Sequence, residues 1–124
     1  MKDLKLYFKL KASPADVYNA LTNRIMIEIW SGEKAEFVTE PNTEFSWFDG
    51  AITGRNLAFE MDKKIEQLWY FEDQEVKVVI KIHPDKKFSS LEVQMLQLPD
   101  DAYENMKEGW QTDIFESLAE LFND

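Results

Sequence analysis

The 124-residue sequence contains no cysteine, and this absence removes several kinds of chemistry at once. Disulfide bonds, thiol nucleophiles and thiolate-bound metals are all excluded. Histidine occurs only once, as His83, at the end of a predicted strand and next to Pro84. A metal site or a Ser-His-Asp set needs several groups that converge, and this surface histidine stands alone. We therefore predict no catalytic residue, no metal and no cofactor.

Long apolar runs are also missing. The chain opens MKDLKLYFKLK, in which charged and apolar residues alternate, so the opening segment fits neither a signal peptide nor a membrane span. No later segment is long and apolar enough to cross a bilayer. The sequence therefore predicts a cytoplasmic protein.

Basic residues are scarce relative to acidic ones. The formal net charge is -10, and the stretch from Asp100 to Asp124 holds eight acidic residues and one lysine. Nucleic acids and anionic membranes bind basic surfaces, so we predict neither as a partner. The acidic end is interpreted as a solvated face that keeps the protein soluble, with a basic protein partner as the alternative.

What the chain does contain is enough apolar material for a core. Hydrophobic residues make up 44% and aromatic residues 14% of the sequence. A chain of this length and composition fits one folded domain, which we expect to span residues 1–124. The sequence shows no linker, no repeat and no low-complexity segment.

The first third of the chain predicts a strand and two short helices. Apolar residues alternate with charged ones from Leu4 to Leu10, as in a half-buried strand. Ser13 followed by Pro14 predicts the start of a helix. Thr22 or Asn23 is expected to cap a second helix that ends at Gly32. The second helix is predicted to turn three apolar side chains inward, namely Ile25, Ile29 and Trp30.

From Lys34 to Leu98 apolar residues recur at every second position. This alternation predicts six antiparallel strands joined by short turns. Asp49-Gly50 has the composition of a hairpin turn. After Gly54 the inward positions change from even to odd numbers, so we predict a bulge at Gly54. With a bulge there, Arg55 would face inward.

A long helix is predicted to close the chain, with Asp100 or Asp101 as its cap. Its apolar stripe has steps of four residues, at Met106, Trp110, Ile114 and Leu118. This stripe must pack on the apolar face of the sheet. The predicted fold class is α+β, in the order β-α-α-β-β-β-β-β-β-α, with a curved antiparallel sheet around the C-terminal helix.

Five short features occur in a familiar order along this chain. They are Trp30-Ser31-Gly32, Gly50, Gly54, Trp69 and Gly109-Trp110. In this order and spacing the sequence resembles the activator of Hsp90 ATPase homologue 1-like (AHSA1-like) family, within the START-like or SRPBCC superfamily. The resemblance implies a helix-grip (Bet v 1-like) fold. It further implies two kinds of partner, a small hydrophobic ligand held between sheet and helix or a chaperone.

The inward positions give the candidate ligand-binding residues. Aromatic side chains dominate them, and these either line a cavity or fill it. Gln67 and Arg55 are the polar exceptions; each is either a ligand contact or, alternatively, a satisfied core amide (Gln67) or a rim residue (Arg55). The cavity candidates are Trp30, Phe45, Trp47, Arg55, Phe59, Gln67, Trp69, Phe71, Met106 and Trp110.

Three functions remain open on this sequence. The first is a non-enzymatic module that binds a small hydrophobic ligand between the sheet and the C-terminal helix. The second is a co-chaperone or interaction protein that acts through its surface. The third is an aromatase-like or cyclase-like enzyme, which would need polar groups deep in the cavity. An uncovered edge strand permits either a monomer or a homodimer.

Overall fold

The computed structural model describes residues 1–123, which form a six-stranded antiparallel sheet, four α-helices, a 3₁₀ turn and a π-helical segment. The strands are β1 (Lys2–Leu10), β2 (Thr43–Trp47), β3 (Ile52–Glu60), β4 (Lys64–Tyr70), β5 (Glu75–Asp85) and β6 (Phe88–Leu98). Two helices, α1 (Pro14–Thr22) and α2 (Arg24–Ser31), connect β1 to the rest of the sheet. A short 3₁₀ turn (Asp100–Ala102) precedes α3 (Tyr103–Gly109), a π-helical segment (Trp110–Phe115) and α4 (Glu116–Phe122). We call the run Tyr103–Phe122 the C-terminal helix.

The two short helices begin and end where their capping residues predict. The Ser13 hydroxyl accepts a hydrogen bond from the Asp16 backbone N–H at 3.2 Å. The Asn23 side chain accepts from the N–H groups of Ile25 and Met26 and so caps α2. Gly32 ends α2 with a left-handed φ of 75°, a conformation that glycine adopts without steric cost.

The sheet has the strand order β1-β6-β5-β4-β3-β2. The predicted α+β class is confirmed, but five strands follow the helices where the sequence predicted six. The segment expected to be the extra strand joins β2 through an isolated bridge between Glu36 and Ser46 instead of a continuous ladder. Its apolar residues Ala35 and Phe37 are buried in the core, and Pro41-Asn42 turns the chain before a ladder forms.

The predicted bulge exists, but at Leu57 rather than at Gly54. Asn56 pairs with Gln67 and Ala58 pairs with Glu66, so Leu57 has no opposite residue in β4. The even-numbered residues Gly54 and Asn56 therefore still point into the core. Arg55 lies on the outer face of the sheet, and the prediction that it faces inward was wrong.

The C-terminal helix packs along the inner face of the sheet. The Phe115 ring stacks on Phe8 of β1, with ring centroids 4.4 Å apart. Neither Asp100 nor Asp101 caps the helix as predicted, because the 3₁₀ turn begins after Pro99 without a side-chain cap. None of the helices within residues 1–123 has the length and apolar character needed to cross a membrane.

The apolar steps of four residues explain the π-helical segment. An α-helix has 3.6 residues per turn, so each step of four drifts by about 40° around the helix axis. The wider π-helical turns reduce this drift and keep Trp110, Ile114 and Leu118 in the core, each 2% exposed or less.

The α2 helix buries a different face from the one predicted. Ile27 and Trp30 lie in the core, whereas Ile25 and Ile29 are 60% and 58% exposed. Ile25 and Ile29 are four residues apart and share the solvent face of the helix. The inward prediction was therefore right for Trp30 and wrong for these two isoleucines.

Candidate functional site

A groove of about 410 Å³ opens between the C-terminal helix and the end of the sheet formed by the β2–β3 turn. The sheet contributes Ile52 and Trp69, and the C-terminal helix contributes Met106, Trp110 and Ile114. The rest of the lining is Glu33, Phe48, Ala51, Asn105, Gly109 and Asp113. A concave site with an apolar lining and a few polar groups is the usual form of a small-molecule site.

Two stacked tryptophans form the inner wall of the groove. The rings of Trp69 and Trp110 lie 5.3 Å apart with an interplanar angle of 15°. Behind Trp69, the Trp47 ring approaches edge-on at 5.9 Å. Trp47 in turn meets Trp30 edge-on at 5.8 Å. The groove thus lies against an aromatic core, because four tryptophan rings in successive contact extend from its wall into the protein.

Phe48 forms the outer wall of the groove and was not among the predicted site residues. It precedes Asp49-Gly50, and all three residues have positive φ, of 55°, 53° and 94°. A bulky residue rarely adopts this left-handed conformation, which costs about 1 to 2 kcal/mol. The backbone bends so that the Phe48 ring packs edge-on against Trp30 at 5.8 Å. Alternation alone predicts only that Phe48 faces away from Trp47.

The polar groups of the groove are Glu33, Asn105 and Asp113. Glu33 follows the end of α2, where its backbone N–H donates to the Ser31 hydroxyl at 3.3 Å. Asn105 and Asp113 project from the C-terminal helix. None of the three was predicted, because polar residues on a helix face or after a helix cap have the pattern of ordinary solvated groups.

A buried amide chain lies behind the tryptophan wall. The Trp69 indole N–H donates to the side-chain oxygen of Gln67, Oε1, at 2.8 Å. The side-chain NH₂ group of Gln67 donates in turn to Oδ1 of Asn56 at 3.0 Å. The Asn56 amide then donates to the Val38 carbonyl at 3.2 Å. Both amide side chains are fully buried. Of the two alternatives open for Gln67, the structure shows the satisfied core amide, and its partner Asn56 was not anticipated.

We expect Gln67→Leu to lower the free energy of unfolding by about 2 kcal/mol. The leucine would leave the Trp69 indole N–H and the side-chain oxygen of Asn56 buried without partners. Each such group lowers the stability of the fold by about 1–3 kcal/mol. Urea denaturation followed by circular dichroism gives the value. Gln94→Leu, the same change on the outer face of β6, is the control and should stay within about 0.5 kcal/mol. Equal stability of the two variants would contradict a stabilising role for the amide chain.

Arg55 lies on the other side of the sheet from the groove. In the register of the sheet it lies opposite Glu44 of β2 and Leu68 of β4, and it is near Tyr70. A hydrogen bond to Glu44 raises the pKa of the Tyr70 hydroxyl, and the charge of Arg55 opposes this shift. Arg55 therefore belongs to the outer polar face and contributes nothing to a cavity inside the sheet.

The structure brings three of the ten predicted site residues to the groove, namely Trp69, Met106 and Trp110. Four others lie behind the groove in the filled core, which are Trp30, Phe45, Trp47 and Gln67. Phe59 packs against Phe37 at 6.2 Å, and Phe71 lines a separate shallow depression beside the 3₁₀ turn. The aromatic side chains inside the sheet thus fill the space that they were predicted either to line or to fill.

The chain resembles proteins of known sequence along almost its whole length. A curated protein of Dictyostelium discoideum, described as an activator of 90 kDa heat shock protein ATPase homologue, is 28% identical over 127 residues. This alignment includes 98% of the chain but 33% of the relative, so the chain spans about a third of that protein's length.

Solved structures share the fold. A protein from Mesorhizobium loti matches with a TM-score of 0.85 at 23% identity, over 98% of this chain and 97% of that one. An HSP90 activator from Plasmodium falciparum gives 0.84 at 19% identity, over 98% and 95% of the two chains. The Aha1 dimer from Colwellia psychrerythraea gives 0.82 at 13% identity, over 99% and 95%. These likenesses confirm the helix-grip fold.

The family model described as activator of Hsp90 ATPase homologue 1-like protein matches residues 11–123. This match covers α1 through α4 and every strand except β1, and it includes every residue that lines the groove. The chain therefore belongs to the activator of Hsp90 ATPase homologue 1-like family.

Proposed function

We propose that this domain is a non-enzymatic binding module that holds a small apolar molecule in the groove beside Trp69 and Trp110. The observation that carries the proposal is the groove itself. Its volume of about 410 Å³ lies within the range of about 300–1,000 Å³ that is typical of small-molecule sites. The half-buried side chains of Phe48, Ile52 and Met106 provide an apolar surface for such a ligand, and the nearly buried Trp69, Trp110 and Ile114 lie behind them.

The proposed ligand sits at the mouth of the helix grip rather than deep inside it. Trp47 is fully buried and Phe45 is 3% exposed, so side chains occupy the interior of the sheet. The groove lies on the solvent side of this packed core. A ligand there reaches its site without any rearrangement of the core.

Binding rather than catalysis is assigned because of the polar groups that the groove offers. Glu33, Asn105 and Asp113 are its polar side chains, and all three are solvent-exposed. A side chain that acts as a general acid or base is usually buried beside groups that shift its pKa toward the working pH. Exposed carboxylates are better suited to orienting a ligand than to moving its protons.

A blocking variant tests this function. The protein purified from its own host is analysed by native mass spectrometry, and the purified protein is titrated with 2-naphthylmethanol while the indole ¹H–¹⁵N signals of Trp69 and Trp110 are followed. Ala51→Trp adds a large side chain at the exposed rim and should abolish both the bound mass and the signal shifts. Ala15→Trp, at an exposed position of α1, is the control. An apo mass together with unshifted indole signals would refute the binding module.

A second candidate function is contact with an Hsp90-type chaperone. Relatives named as HSP90 activators support it, as does the exposed pair Ile25 and Ile29 on α2. The test measures the ATPase rate of the host's Hsp90 with this domain added. Stimulation that is lost in Ile25→Asp/Ile29→Asp but kept in Ala51→Trp would assign the activity to α2. An unchanged ATPase rate would dismiss this candidate.

A further inference from the structure

The charged side chains of the groove are of one sign. Glu33 and Asp113 line it, and no lysine, arginine or histidine lines it within residues 1–123. Among the ion pairs of these residues, neither carboxylate has a cationic partner. Lys34 follows Glu33 in the chain, and both line a neighbouring depression, but no ion pair joins them within residues 1–123. The groove therefore offers two carboxylates without an ion-pair partner beside an apolar surface.

The two carboxylates come from different elements of the fold. Glu33 stands after the end of α2, where the Ser31 hydroxyl bonds to both its N–H and its C=O. Asp113 lies one turn after Gly109, and a Cβ placed at Gly109 would be 3.9 Å from its Oδ2 atom. Because Gly109 has no side chain, the Asp113 carboxylate borders open groove at this point.

Aromatic side chains border the same groove. Trp69 and Trp110 stack on each other and are 3% and 1% exposed, so their ring faces are largely covered. Phe48 is half-buried and is the accessible aromatic side chain of the lining. The face of an aromatic ring carries partial negative charge and attracts ammonium groups. An anionic ligand would meet two carboxylates and this ring without a compensating positive side chain.

We propose that the ligand of this groove is a small organic cation, in which an ammonium-type group is attached to an apolar body. This inference rests on the proposed binding function and adds the charge of the ligand to it. The apolar body supplies most of the affinity, and Glu33 and Asp113 select the charge. Two exposed carboxylates with an adjoining ring face should favour a cation over the matching anion by about 5- to 20-fold at low salt.

Three probes with the same naphthalene body test the charge preference: 2-naphthylmethylammonium, 2-naphthylmethanol and 2-naphthoate. Each is titrated into the wild-type chain while the indole ¹H–¹⁵N signals of Trp69 and Trp110 are followed. We expect the cation to bind most tightly and the anion most weakly. Adding 0.5 M salt should shrink the difference, since exposed charges are screened.

Paired variants separate the groove from the overall charge of the protein. Glu33→Gln/Asp113→Asn should bring the three affinities to within about twofold of one another. Glu104→Gln/Glu108→Gln removes two charges from exposed positions of the same helix outside the groove and should keep the preference.

Each alternative outcome has a separate meaning. Equal affinities of the three probes for the wild-type chain would overturn the charge inference and leave the binding function standing. Loss of the preference in both paired variants would attribute it to the net charge and also overturn the inference. Failure of all three probes to bind would refute the proposed function together with the inference.

Discussion

Replacing Trp110 with alanine is expected to lower the free energy of unfolding by about 3 to 5 kcal/mol. The side chain is 1% exposed, stacks on Trp69 and stands where the π-helical segment begins. Truncation removes the burial energy of the indole and leaves a cavity that the neighbouring rings cannot fill without moving. The stacking contact accounts for about 0.5–1.5 kcal/mol of this loss. Denaturation in urea with far-ultraviolet circular dichroism measures the effect.

The adjacent residue provides the control for this experiment. Gln111 is exposed on the same helical segment, so Gln111→Ala should change stability by less than about 0.5 kcal/mol. A loss below about 1 kcal/mol for Trp110→Ala would show that the C-terminal helix does not depend on this ring for its packing. Trp110→Phe retains an aromatic ring, so its loss of unfolding free energy should lie between those of Trp110→Ala and Gln111→Ala.

The second large effect is expected at Gly54, where alanine should destabilise the protein by about 3 kcal/mol or more. A Cβ at this position would overlap the Leu68 carbonyl oxygen and lie 2.8 Å from Cε1 of Phe45. The oxygen belongs to the backbone of the neighbouring strand, so no side-chain rotation relieves the overlap. The cost should reach or exceed the upper end of that seen for overpacked cores. Differential scanning calorimetry of the variant gives the change.

Gly109→Ala is the matched substitution with the opposite expected sign. Gly109 is helical, with φ -59°, and the contact that an added Cβ would make there is with Asp113, at 3.9 Å. Alanine in a helix is favoured over glycine by about 0.5–1 kcal/mol. The melting temperature should rise for Gly109→Ala and fall steeply for Gly54→Ala. A similar fall in both variants would indicate that loss of any glycine, rather than the close approach at Gly54, destabilises this chain.

Local features of the fold could be read from the sequence because their causes lie within a few residues. Ser13 and Asn23 cap helices through groups two or three positions away. Asp49-Gly50 makes the predicted hairpin because glycine and aspartate tolerate positive φ. The π-helical segment was not predicted, because apolar residues four positions apart are also typical of an α-helix.

Features that depend on a neighbouring strand were harder to predict. In β3 the inward-facing positions change from even to odd residue numbers, which correctly indicates a bulge. The pattern does not say whether the extra residue is Gly54 or Leu57. Pairing with β4 decides the position, and the choice determines which face Arg55 occupies. Gly54 itself is needed for the close approach of β4, a cause that is invisible before the strands are paired.

The groove was only partly predictable for a related reason. Trp69 was identified from the alternation of its strand and Trp110 from the apolar stripe of its helix, and these two residues form its wall. Phe48, Glu33 and Asp113 reach the site because of an unusual turn, a helix end and the rotation of a helix. None of these three leaves a periodic signal. Exposed acidic residues become informative only when the structure shows that they surround an apolar surface without a cation.

The pairing of β1 with β6 has a consequence for how the chain is made. Lys2 pairs with Leu98, so the first strand must wait for almost the whole domain to be synthesised before it finds its partner. At about 5–20 residues per second, that wait is roughly 5 to 20 s. During this interval β1 is an unpaired strand, and lysines at positions 2, 5, 9 and 11 oppose its association with other nascent chains. The charge of these lysines therefore acts on the chain before the sheet that they later border exists.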